Sequence, residues 1–142
     1  MKIKFNKGYL LIISKSLVYF FGFLAGVGNE AKGSAFFPFI FVKSEEFIQP
    51  WLITHERIHF RQQIETLFIG SFLIAIVERL YARIILGKTK FESYLWLSGE
   101  QEAYLNQSND DYLKTRPLWH QFSYIKNKKK ITLPSPGEVI VG

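Results

Sequence analysis

No cysteine occurs among the 142 residues. Disulfides and thiolate metal sites are therefore excluded, and any bound zinc must take its ligands from histidine and carboxylate. The absence leaves the compartment open. Histidine is also scarce, with three in the whole chain, so their positions carry weight. An unbroken apolar run of membrane length is missing too. A spanning helix wants about twenty predominantly apolar residues. The longest apolar stretch, residues 9–27, is interrupted by Ser14-Lys15-Ser16, and a lysine at mid-span costs about 2.5–3.5 kcal/mol on insertion scales. There is no nucleic-acid-binding motif of the usual kinds, no internal repeat, and no low-complexity tract beyond a few lysines.

What remains is apolar and aromatic. Hydrophobic residues make up 48% of the chain and aromatics 17%, with 14 Phe. This composition points to contact with a membrane lipid surface or a membrane-protein complex. The length fits one domain, residues 1–125, followed by a basic extended tail, 126–142. The net charge of +6 sits at the two ends, in Lys2, Lys4 and Lys7 and in Lys126, Lys128, Lys129 and Lys130. Basic clusters can serve nucleic acid or anionic lipid, no nucleic-acid partner is expected in the absence of its motifs, and for Lys126–Lys130 a solvated tail is the favoured reading over either.

The pattern along the chain alternates between strand and helix signals. Residues 9–27 read either as a membrane-embedded or membrane-lying anchor or as a strand, Tyr9–Ile13, followed by a short apolar helix. Asn29–Ser34 reads as a turn. Residues 36–43, rich in Phe and β-branched residues, predict an edge strand or one that starts after Pro38. Such an edge can take up an extended peptide by strand addition. Pro50 suits the first turn of a helix running to about Phe68. Further helices are predicted over 71–86, 91–107 and 111–125, with Glu78, Arg79 and Arg83 on a solvated side of the first. The charges within 67–86 argue against a simple lipid-exposed span there.

The second of these helices carries the most informative residues. His55-Glu56-Arg57-Ile58-His59 spells H-E-x-x-H. At about 100° per residue, positions four apart nearly superimpose on one face. His55 and His59 can then share one Zn²⁺, and Glu56 beside them can act as general base toward a water. A catalytic zinc needs a third protein ligand and an open position. Glu100 and Glu102 compete for that role; they lie about 200° apart on their helix, so only one can face the metal.

Together, the H-E-x-x-H run and Glu100-x-x-Ala103 resemble the gluzincin clan of zinc metallopeptidases. The Glu-x-x-Ala pair is similar to that of CAAX-processing and HtpX-type membrane proteases, although Tyr104 stands where their motif continues with Asp. The run HERIHFRQQ, followed by EQEAY and DYLKTR, resembles a group of small bacterial H-E-x-x-H-xx-Q-Q proteins. Gln62 and Glu65 stand where a metzincin would have Gly and His, which excludes that family. The resemblance implies His55, His59 and Glu100 as zinc ligands, Glu102 as the alternative ligand, and Glu56 as catalytic base. It further implies a peptide or protein substrate and a place at the membrane of a bacterial cell envelope. The fold expected is α+β and mostly helical: a minimal zincin-like core with an active-site helix, a second ligand helix and a small edge strand or hairpin. Candidates for the oxyanion donor or for support behind the ligands are Arg116, the first choice, with Tyr94, Tyr104, Tyr112, Gln62 and His120. The alternative function is a non-catalytic subunit of an envelope complex that retains the fold.

Overall fold

Tyr9–Ile13 and Phe39–Val42 are almost wholly apolar, and they form the two inner strands of one sheet. The computed structural model describes residues 1–25, 27 and 31–131. Its strands are β1 (Lys2–Asn6), β2 (Tyr9–Ile13), β3 (Gly33–Phe36) and β4 (Phe39–Val42), in the order β1-β2-β4-β3. The inner pair is parallel and both outer pairs are antiparallel. Strands covered on both faces read as continuous apolar runs. Leu11 and Ile40 pack on one face with Leu52 and Phe60, whereas Ile12 and Phe41 pack on the other with Val18 and Tyr94.

The helices are α1 (Lys15–Ala25), α2 (Pro50–Glu65), α3 (Ile69–Ile84), α4 (Lys90–Leu95), α5 (Ser98–Asn106), α6 (Tyr112–Thr115) and α7 (Ser123–Lys126). Helix α2 covers one face of the sheet; α1 and Tyr94 of α4 cover the other. A third cluster, Ile58, Ala103 and Tyr112, ties α2 to α5 and α6. The fold is mostly helical α+β. Ala103 is fully buried against the α2 side, and its small side chain lets α5 approach closely.

Of the two readings of residues 9–27, the structure has the strand, Tyr9–Ile13, followed by a short helix, Lys15–Ala25, and among the described residues no helix is long and apolar enough to cross a membrane. Several other boundaries differ from the sequence expectation, each for a physical reason. The basic front forms β1, turning through Lys7-Gly8, where Gly8 takes φ 91°. All five β1 residues are exposed, so no buried face announced the strand. Of the two expectations for residues 36–43, a strand that starts after Pro38 is the one found: β4 begins at Phe39 and is an inner strand, while Phe36 ends β3. Gly33 and Ser34 belong to β3 rather than to a turn, and Asn29 and Glu30 lie outside the described residues. Helix α2 stops at Glu65 because Leu67 and Phe68 take positive φ. The helix expected over 91–107 breaks at Trp96-Leu97, and α5 starts afresh at Ser98. The one expected over 111–125 breaks before Pro117, which cannot continue a helix.

The tail is not freely solvated at its start. Gln101 binds the Lys129 backbone through both amide atoms, and Lys128 pairs with Glu78 and lies over the Trp96 ring. Glu78 is correspondingly buried rather than on a solvated face. Its carboxylate also accepts from the Ser98 amide and hydroxyl. The rest of the tail, with Pro134 and Pro136, lies outside the described residues.

Candidate metal centre

Helix α2 has buried residues on two sides. Leu52 and Phe60 enter the core under the sheet, while His55, Glu56 and His59 turn toward α5. Helix α5 brings Glu100 to them. His55 Nε2 and His59 Nε2 stand 3.2 Å apart, and each is 3.3 Å from a Glu100 carboxylate oxygen. A tetrahedral site with ligand bonds of about 2.0–2.1 Å has edges of about 3.3–3.4 Å. The two imidazoles stand close to such an edge, and Glu100 turns a different oxygen to each of them, so the three side chains converge on one point. Glu100 Oε2 is buried and has no hydrogen-bond partner. This buried His55–His59–Glu100 group can hold a metal ion.

Both rings are oriented from behind. His55 Nδ1 lies 2.9 Å from Gln107 Oε1, and His59 Nδ1 lies 2.8 Å from Gln62 Oε1. An amide oxygen only accepts, so each Nδ1–H donates, and a ring that gives up its Nε2 proton is left with a lone pair directed into the site. Gln62 is held in turn, its Nε2 donating to Gly99 O and to Glu102 Oε2. A Cβ on Gly99 would come within 2.9 Å of Gln62 Oε1, so glycine is what lets α5 start so close to α2.

Glu102 does not join the triad; it accepts from Gln62 Nε2 behind His59. It is fully buried and committed: Tyr112 Oη donates to it at 3.1 Å, and the Arg116 Nε and Nη2 both donate to it. Arg116 also grips Glu65 with two bonds, at 2.6 and 3.1 Å. Its guanidinium is thus saturated by two carboxylates and is not available to an oxyanion, contrary to the expectation from sequence. Tyr112 is spent on Glu102. His120 packs against the Tyr112 and Tyr124 rings, away from the triad. Tyr104 sets its ring edge-to-face on His55 at 4.7 Å. Tyr94 is buried close enough to feel the charges of Glu100 and Glu56 and to neighbour Tyr104.

Electrostatics follow the geometry. Burial opposes ionisation of Glu100, but His59 and His55 outweigh it and hold its pKa down at about 2. Burial lowers the pKa of His55. Burial pulls on His59 as well, yet the Glu100 charge and the bonds from Glu100 and Gln62 carry it upward. Glu56 is the exception: both its oxygens are buried without a hydrogen-bond partner, and burial, then Glu100, drive its pKa well up. A Cβ on Gly33 of β3 would lie 3.1 Å from Glu56 Oε1, so a larger residue there would crowd the carboxylate.

Compared with known protein families, curated proteins and solved structures, the chain finds no match. Function must be argued from the site itself.

Sequence reasoning assigned no role to Gln63 or Gln107, or to Gly33. Gln63 donates to Ala35 O at 3.0 Å and accepts from Phe37 N at 2.8 Å. It thereby occupies Ala35 O of β3 and the amide just past that strand's end, while the strand on which peptide addition was expected, within 36–43, is the inner β4. A peptide strand arriving at β3 would have to displace Gln63. The adjacent glutamines of the Q-Q pair do different work because they point about 100° apart, one behind the ligand and one to the sheet. Gln107 has no such signal, since it lies beyond the end of α5.

Proposed function

We propose that the chain is a zinc-dependent, gluzincin-like metallopeptidase. Two imidazoles and one carboxylate, with no thiolate in the chain, match the donor set of catalytic zinc, which leaves a position open for water. A zinc ion held there supplies Lewis acidity and lowers the pKa of water toward about 7. The observation that carries the reading is Glu56. Its unpartnered buried carboxylate, next in sequence to one ligand, is the group to take a proton from an attacking water. A pKa raised by burial suits it to keep that proton and pass it to the leaving amine. With Arg116 committed to two carboxylates, the buried hydroxyl of Tyr94 is the candidate we take as donor to the developing oxyanion.

The test is elemental analysis of the purified protein with anomalous scattering to locate the ion, followed by a peptide-library assay with Glu56→Gln as control. Zinc at one per chain, cleavage by wild type and none by the variant support the reading. Zinc-loaded wild type as inactive as the variant overturns the catalytic part.

One observation favours a second reading, the non-catalytic subunit of an envelope complex. The cavity beside the triad, bounded by His59, Glu100, Phe72 and Gln121, has a volume of only about 90 Å³, whereas ligand pockets commonly run about 300–1,000 Å³. Equal inactivity of both forms, with the chain recovered in a stable assembly, supports that reading.

A further inference from the structure

Helix α3 is turned inside out relative to an ordinary surface helix. Its buried residues are Glu78 and Ala82. Phe72, Leu73, Ile76, Val77, Leu80 and Ile84 are each more than half exposed. At about 100° per residue these six fall within an arc of about 140°. Soluble chains rarely leave so continuous an apolar strip uncovered. Charge of one sign lies along one side of the strip, Arg79 just outside the arc and Arg83 just within it near the helix end. Arg79 reaches across to Ala25 O of α1, and the exposed Arg83 donates to Lys88 O just past the helix end. The helix's single carboxylate, Glu78, is buried and paired with Lys128. Helix α1 repeats the pattern, with Tyr19, Phe20, Phe23 and Leu24 exposed.

At the C-terminal end of α3, Tyr81 stacks on Trp96 at 5.8 Å, and Trp96 lines a cleft of about 420 Å³. Lys88, Lys128, Lys129 and Lys130 line the same cleft. Its acidic residue, Glu92, is engaged in capping α4, where it accepts from Thr89 N at 2.9 Å. An apolar strip linked through the Tyr81–Trp96 stack to a lysine-lined cleft matches one surface in particular: acyl chains beneath a layer of anionic phosphates. A second protein helix would satisfy the strip and leave the lysines uncompensated.

We propose that the α3 face docks flat in the interfacial layer of an anionic phospholipid bilayer, with a lipid phosphate seated among Lys88, Lys129 and Lys130. No helix spans the membrane in this mode; α3 lies along it. Phe72 belongs both to the strip and to the cavity beside the metal triad, so docking sets that cavity at the level of the lipid surface. The docking does not depend on the peptidase reading.

The experiment is co-flotation of the full chain with phosphatidylcholine vesicles, with and without phosphatidylglycerol. Wild type is expected to float with the anionic vesicles and to be released by salt, and Glu56→Gln is expected to float equally well whatever its activity. Ile76→Glu with Leu80→Glu removes the apolar contact and abolishes flotation; both sites are exposed, and far-UV circular dichroism checks the fold. Lys129→Ala with Lys130→Ala keeps the backbone bonds to Gln101 and weakens anionic binding about thirtyfold. Failure of wild type to float, or equal flotation of the Ile76/Leu80 variant, overturns the proposal. So does a wild-type dimer in solution that the α3 variant makes monomeric, which assigns the face to a second copy. Inorganic phosphate shielding the lysines without any vesicle binding overturns it too, leaving the cleft a free-anion site.

Discussion

Gln62 stands behind His59 as its hydrogen-bond acceptor, Oε1 to Nδ1 at 2.8 Å, and is itself fixed by Glu102 and Gly99. The ligand ring is therefore aimed by a relay that ends at a buried ion pair. Groups behind metal ligands are commonly worth about 10–100-fold in affinity. Gln62→Leu should weaken metal binding by about that factor, with the fold intact. A competitive chelator titration measures it. Unchanged affinity would show that packing alone orients His59.

Arg116 is a structural clamp, and its removal should be felt in stability before chemistry. Its side chain and that of Glu102 are almost completely buried, and it joins α2 to α5 through Glu65 and Glu102. Removing one partner leaves the others buried and charged, which costs about 3–5 kcal/mol. Arg116→Ala should lose about that much in urea denaturation, whereas Arg116→Lys, unable to make the two-pronged bond to Glu65, should recover only part of it. Metal stoichiometry in the surviving folded fraction should stay at one. An Arg116→Ala protein as stable as wild type would remove the clamp.

How legible was this site before folding? The pairing of His55 with His59 needs only the helical period, and the helix start at Pro50 needs only the proline. The choice between Glu100 and Glu102 was reducible to a question of facing, because the two cannot share a side; the Glu-x-x-Ala resemblance favoured Glu100, and Arg116, just before Pro117, engages Glu102. That contact is long-range in space and carries no local pattern. The sheet was harder for a related reason. Strands β2 and β4 are covered on both faces, so their sequences lack alternation, and β1 is covered on neither. The outward apolar strip of α3 was readable as a strong helix but misleading about which side faces the core, since periodicity gives the stripe and not its partner.

Glu100 and Glu56 should give the metal-free protein opposite responses to pH. The pKa of Glu100 falls from the ordinary 4.5 to about 2 on folding. Its ionised form is favoured by the fold, so its contribution is fully present above pH 4.5 and is lost as pH falls toward 2. The pKa of Glu56 moves the other way, well above 4.5. Its protonated form is the one the fold favours, so the cost of ionising it is absent below pH 4.5 and grows as pH rises. With chelator present, Glu100→Gln should therefore lower Tm at pH 7 and lose that effect as the pH approaches 2. Glu56→Gln, which cannot ionise, should raise Tm at pH 7 and change it little at pH 4. Thermal melts across this range read both. Parallel curves for the two variants would mean that the carboxylates share one environment, and the division of labour between a ligand and a base would have no electrostatic footing.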